Sequence, residues 1–214
     1  MTKPITHLIW DWNGTLLDDA RACVNSVNRM LAARELPQLT VDQYRECFGF
    51  PVSDFYRAIG FVLENEDWDA MAEEFHALFL ADSSMALHEQ TRNVLAQLHN
   101  RGVVQWILSA SQQSILDRMV QEYELVGYFR RVMGIHNLYG DSKIAIGRAM
   151  IELMNVPRSE ILLIGDSLHD YEVARDLDIG CVLIAHGHQS YNRLSAVGVP
   201  VLQSLSEVPD LIDG

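Results

Sequence analysis

The chain of 214 residues holds only three cysteines, Cys23, Cys47 and Cys181, with no Cys-x-x-Cys pair among them. An odd number at wide spacing argues against a disulfide framework or a zinc cluster and for idle thiols in a reducing compartment. Long apolar runs are absent as well: none approaches the roughly 20 residues that span a bilayer. The opening stretch, MTKPITHLIWDWNG, has a short apolar run that ends in a carboxylate and lacks a signal-peptide cleavage pattern. The expected location is therefore the cytoplasm. Positive charge is scarce, with 16 Lys and Arg against 29 Asp and Glu, a net charge of −13 and a pI near 4.9. Such a surface repels nucleic acid and anionic membranes, so neither is expected as a partner. It also repels a phosphorylated metabolite at long range, so an anionic substrate needs positive charge concentrated in its site. Internal repeats, low-complexity stretches and long linkers are missing too.

What is present is the balance of a globular protein: 49% of residues are apolar and 21% charged. Thr6 to Asp11 is a short apolar run followed by an Asn13-Gly14 turn, which suits a buried parallel strand. From Asp18 to about Leu80 the pattern is helical, with Asp18 or Asp19 able to cap one helix and Thr40 another, and with breaks at Gly49 and Pro51. After His88, strands and helices alternate. Strands are expected over Val103–Leu108, Arg130–Ile135, Glu160–Ile164, Ile179–Ala185 and Val199–Leu202, with Ser111 capping the helix after the first of these. The fold expected is α/β: a three-layer, doubly wound parallel sheet with an inserted all-helical cap. Residues 1–16 and 88–214 form the core domain, and residues 17–87 the cap. A monomer or a homodimer suits a chain of this kind.

Ligands of open α/β sheets bind beyond the carboxyl ends of the strands, and several chemistry-bearing residues fall there. Asp11 and Asp166 each follow an apolar strand, with Asp170 four residues beyond the second. Carboxylates gathered from separate strands suit a hard divalent ion such as Mg²⁺. Ser109-Ala110-Ser111 ends another strand ahead of a helix, a place for an anion. Lys143 begins the next helix and can reach back to the same point. Each residue has a plainer alternative when taken singly. Asp11 could cap a turn, Ser109 could satisfy a strand end, Asp170 could be a charge on a helix face, and Lys143 a solvated lysine. Their joint occurrence at successive strand-to-helix junctions favours a site.

In this order the segments resemble the four motifs of the haloacid dehalogenase superfamily. Asp11-Trp12-Asn13-Gly14-Thr15-Leu16-Leu17-Asp18 is similar to the first, Ser109 to the second, Lys143 to the third, and Gly165-Asp166-Ser167-Leu168-His169-Asp170 to the fourth. The layout is similar to that of phosphoglycolate-phosphatase-like and β-phosphoglucomutase-like members. The resemblance implies an Mg²⁺-dependent hydrolase of small phosphomonoesters in which Asp11 is the nucleophile and forms an aspartyl-phosphate. It implies a metal held by Asp11, the Asn13 carbonyl and Asp166, with Ser109, Ala110 and Lys143 on the phosphoryl oxygens and Asp170 and Thr15 in support.

One position departs from the pattern. Phosphatases of this superfamily usually carry a second aspartate where this chain has Asn13, and an amide neither gives up nor accepts a proton at neutral pH. Losing general acid–base help costs on the order of 10²–10⁴-fold in rate. Three outcomes stay open: a slow phosphatase or one with another base such as His186 or His188, a persistent phosphoenzyme that transfers its phosphoryl group, or a non-catalytic phosphate binder. Carbon–halogen chemistry would not need Asp166, and a Schiff-base phosphonatase needs a cap lysine, of which there is none between Leu16 and His88. Arg57 could read an anionic tail of the substrate, though a solvated arginine on the cap is the commoner fate. Arg45 and the Phe48-Gly49-Phe50-Pro51 loop could close over the site, while Trp10, Trp12 and Trp106 are read as packing.

Overall fold

The computed structural model describes residues 4–140 and 142–212. Six parallel strands form one sheet in the order β5-β4-β1-β6-β7-β8: β1 (His7–Trp10), β4 (Val104–Gln112), β5 (Phe129–Ile135), β6 (Ile161–Gly165), β7 (Gly180–Ile184) and β8 (Val201–Leu202). β1 lies in the middle, with Trp10 paired to Ile107 on one side and Ile164 on the other. Its run Leu8-Ile9-Trp10 is continuously apolar because both faces of the sheet are covered.

Alternation along the strands sends neighbouring side chains into two different cores. Ile9, Leu108 and Leu163 pack against α7 (Ile144–Met154) and α8 (Leu168–Leu177). Leu8, Trp10 and Ile164 face the other layer, with α5 (Thr91–Asn100) and α6 (Gln113–Glu122). Trp10 and Trp106 on the strands and Trp12 just after β1 are all buried, and Trp10 donates from its indole to Gln105 at 3.1 Å. Among the described residues no helix is long and apolar enough to cross a membrane.

The helical segment enters and leaves through a two-stranded antiparallel ribbon, β2 (Leu17–Asp18) with β3 (Ala86–Leu87). Between them run α1 (Ala20–Ala33), α2 (Val41–Cys47), α3 (Val52–Ala58) and α4 (Trp68–Leu80). Thr40 and Gln43 form a reciprocal cap on α2, and Asp67 accepts from the backbone of Asp69 and Ala70 at the start of α4. Arg34, at the end of α1, grips Glu66 at 2.7 Å and Glu74 at 2.9 Å, fixing α1 against α4.

Two local expectations are corrected. Ser111 does not cap α6, because β4 continues through a register shift to Gln112; the Ser111 backbone N–H instead donates to Ser109 Oγ at 3.0 Å. Asp19 stands at the N-cap position of α1 but makes no cap bond. Its carboxylate is turned elsewhere.

Candidate active site

The carboxyl ends of β1, β4 and β6 meet under the helical insertion around one cavity of about 150 Å³. Asp11 follows β1, Ser109 and Ala110 lie in the last part of β4, and Asp166 follows β6. Lys143 stands at the N-cap position of α7, so its side chain can fold back over the sheet. It is one of only two lysines in the chain and is 2% exposed. Its ammonium donates to Asp11, to Leu108 O at 3.0 Å, and pairs with Asp170 at 2.7 Å. Asp170 is held in place by the backbone N–H of Ser167 at 3.0 Å and its hydroxyl at 2.7 Å.

Asp166 accepts from the Thr15 hydroxyl at 3.1 Å and from the His188 backbone N–H at 2.6 Å. Two glycines permit this approach. A Cβ on Gly14, whose φ is +74°, or on Gly187 would lie 2.2 or 2.1 Å from the Asp166 carboxylate. Carboxylate oxygens of Asp11, Asp166 and Asp170 come within 4.8 Å of one another, close enough to share a cation.

The residue that composition and spacing gave no reason to single out is Asp19. It is wholly buried and accepts from the Asn13 amide at 2.6 Å and the Gly14 N–H at 2.7 Å, while His188 Nε2 stands 3.2 Å away. The other His188 nitrogen meets the Tyr44 hydroxyl of α2 at 2.9 Å. A chain Asn13–Asp19–His188–Tyr44 thus joins the turn after the nucleophile to the helical insertion. The available signal was the Asp18-Asp19 pair itself: one helix start needs one cap, which leaves a second aspartate needing a partner.

The electrostatics follow from burial. Four buried carboxylates, on Asp11, Asp19, Asp166 and Asp170, face two cations, Lys143 and His188, so with all four ionised two negative charges would be uncompensated. Burial pushes the Asp11 carboxyl up to about 8 despite the pull of Lys143, with Asp170 and Asp166 adding to the rise. Burial also raises Asp166 to about 6, against His188. Lys143, which burial alone would depress, is raised by Asp11 and Asp170. Burial opposes ionisation of Asp170 too, but Lys143 and Ser167 hold it below the usual carboxylate range. His188 is desolvated yet lifted to about 9 by Asp19. A divalent cation would supply the missing charge, and the oxygen-only donor set of Asp11, Asp166 and Asp170 suits Mg²⁺.

Other candidate residues lie apart from this centre. His186 stacks on His88 with ring centroids 3.6 Å apart and its Nε2 lies 3.1 Å from Thr15 O; burial depresses it to about 3. It braces the turn after Asp11 from behind and does not line the cavity. Arg57 is corrected: its side chain is 53% exposed, pairs with Asp54 at 3.1 Å and is outside the cavity, so it reads no substrate tail there. Arg45 donates to the carbonyls of Gly187 and His186, tying α2 to the loop after β7.

The model of the haloacid dehalogenase-like hydrolase family matches residues 8–184. The chain belongs to that family. It is 24% identical over 190 residues to a phosphoglycolate phosphatase of Pseudomonas putida, covering 85% of this chain and 70% of that protein. Among solved structures, a predicted phosphatase from Clostridium acetobutylicum superposes with a TM-score of 0.82 at 19% identity, over 98% of this chain and 99% of the other. Protein tyrosine kinase A of Mycobacterium tuberculosis superposes with a TM-score of 0.81 at 20% identity, over 99% and 100%. At such identities the structural likeness fixes the fold, a six-stranded parallel α/β sheet with helices on both faces.

Proposed function

We propose that this family member hydrolyses small phosphomonoesters, with Asp11 as nucleophile and Mg²⁺ as cofactor. The observation that carries the reading is the buried Lys143 held between Asp11 and Asp170, beside a third carboxylate at Asp166. That arrangement offers a nucleophilic oxygen, a fixed cation for phosphoryl oxygens, and donors for a divalent ion at one point of the sheet edge. The phosphoglycolate phosphatase relative is consistent with the same reaction class.

In this mechanism an Asp11 oxygen attacks phosphorus in line and the P–O bond to the alcohol breaks, leaving an aspartyl-phosphate. Ser109, the Ala110 N–H and Lys143 hold the transferring oxygens. Asp11, the Asn13 carbonyl and Asp166 would hold Mg²⁺, which when bound screens the nucleophile from the phosphoryl charge. Asp170 keeps Lys143 aligned, and Thr15 does the same for Asp166. Water then cleaves the acyl-phosphate. Asn13 gives neither step a proton, and its amide is committed to Asp19. The first step is therefore slow for poor leaving groups, and the second, which lacks a base for the attacking water, is slow whichever alcohol has left. That bond also favours a second reading, in which the phosphoenzyme outlives the first alcohol and passes its phosphoryl group to another acceptor.

The test is phosphate release from an aryl phosphate with and without Mg²⁺, with Asp11→Asn as control. Mg²⁺-dependent release that vanishes in the control is the expected result. Equal background in both proteins defeats the proposal. Retention of labelled phosphate on the wild-type chain after acid quench, at a level near one per chain, would favour phosphoryl transfer over hydrolysis.

A further inference from the structure

The cavity has a second half that the reaction above does not use. Beyond Asp11 and Lys143 it runs up between α1, α2, α3 and α4, and there its wall is aromatic: Tyr44, Phe48, Phe55, Trp68, Phe75 and Phe79. These rings are already arranged as rings prefer. Tyr44 and Phe55 meet edge to face at 5.5 Å, Phe48 and Phe55 at 5.3 Å. The polar groups in this half are neutral or occupied. The Tyr56 hydroxyl points at Met30 sulfur, the Tyr139 hydroxyl donates to Asp69 at 2.5 Å, and His76, kept neutral by burial, has its Nδ1 2.7 Å from Ala72 O.

No described lysine or arginine other than Lys143 lines the cavity. The five arginines of the helical segment are all directed elsewhere. Arg34 is held by Glu66 and Glu74, Arg57 pairs with Asp54, Arg45 lies on the carbonyls of Gly187 and His186, and Arg21 and Arg29 are exposed. A carboxylate on the substrate's alcohol would lose its hydration here and meet no cation beyond Lys143 and His188, both already paired with carboxylates, whereas a ring would replace water against six others.

We infer that the organic half of the substrate is a small uncharged apolar group, an arene by preference, and that carboxylated alcohols such as glycolate are selected against. The inference rests on the phosphomonoesterase reading above and adds the class of alcohol to it. It also fits the floor of the site. An aryl oxide leaves without a proton, so a cavity that selects arenes reduces the need for an acid at position 13.

Leaving-group chemistry and recognition are separated by comparing two alkyl esters. Phenethyl phosphate and 2-phosphoglycolate both expel an alkoxide and differ mainly in what the helical segment meets. With the Mg²⁺-loaded protein, kcat/KM for phenethyl phosphate should exceed that for 2-phosphoglycolate by on the order of 10²-fold. In calorimetric titration, phenethylphosphonate should bind more tightly than phosphonoacetate by a similar factor. Phe75→Arg, at a half-buried position of α4, should move both ratios toward the carboxylated ligand by about tenfold. Equal or reversed preference in the wild-type protein, in either assay, overturns the inference. Acetyl phosphate, whose acyl group is too small to reach the aromatic wall, reports on the floor alone. If it yields no Asp11-dependent phosphate the proposed reaction fails, and the phosphonate titration still decides the class of ligand.

Discussion

The floor and the roof of the cavity are made of opposite materials and arise from different parts of the chain. The floor collects four carboxylates, a lysine and a histidine: Asp11 and Asp166 from the ends of apolar strands, Asp19, Lys143 and Asp170 from helix starts, and His188 from the loop after β7. The roof is a ring of aromatic side chains from a helical segment inserted after the first strand and rich in acidic residues on its outside. The difference teaches where each property has to come from. Charge can be buried only where a rigid framework holds every partner within hydrogen-bonding distance, which parallel strands and helix starts provide. Shape and apolar area need no such precision, so short helices on a ribbon can supply them and can vary without disturbing the chemistry below.

Removing the cation from the floor should have the largest effect. Lys143→Met leaves Asp11 and Asp170 facing each other without their shared partner. Phosphate release should fall by on the order of 10³-fold, and denaturant unfolding should show a loss of about 3–5 kcal/mol. Ligand binding through the roof should persist in the folded protein, and its loss there would show that floor and roof are not separable.

Restoring the acid comes next. Asn13→Asp should raise kcat/KM of alkyl phosphates by roughly 10²-fold while kcat/KM of aryl phosphates changes by a few fold at most. The new carboxyl would sit where the amide now donates to Asp19, so one proton must be shared between them. Adding Asp19→Asn should relieve that crowding and recover stability. An equal gain on both ester classes would remove Asn13 as the explanation for slow turnover.

The pH dependence of stability sharpens the comparison further. Asp11 and Asp166 are raised to about 8 and about 6, so the folded metal-free protein binds more protons than the unfolded chain across that range. Their effect is a stability that falls as pH rises from about 4 to about 8. His188, raised to about 9, contributes stability that is fully present below its unfolded value near 6.5 and lost as pH passes 9. Buried neutral histidines such as His186 oppose this trend below about pH 6.5, so thermal melts without metal should weaken from about pH 7 to 9. The stabilisation by Mg²⁺ should grow over the same interval, because the ion favours the deprotonated floor. A Mg²⁺ shift independent of pH would contradict the carboxylate cluster as its site.

The smallest effect expected is at the seam between the two halves. Tyr44→Phe deletes the hydroxyl that meets His188 while keeping the ring in the aromatic wall. A loss of about 1 kcal/mol in unfolding, with the preference between phenethyl and carboxylated esters unchanged, is the expected outcome.

The sequence alone determined the sheet and the principal floor residues. Apolar runs ending in Asp11 and Asp166, and a lysine at a helix start, are local patterns whose meaning follows from where parallel strands place their ends. Three things were decided only by the tertiary structure. Asp19 read as one of two helix caps and became the partner of Asn13 and His188, because the loop after β7 folds back beside the turn after β1. Arg57 read either as a cation for the substrate or as a solvated arginine, and it lies outside with Asp54. Phe48 lay in a loop expected to close over the site, but nothing in the sequence pointed Tyr44, Phe55, Trp68, Phe75 and Phe79 to the same wall; their convergence comes from how the four helices pack. A pattern along the chain specifies which residues share a face of their own element. Which faces meet depends on the path of the loops and on packing between elements, and those are properties of the folded whole.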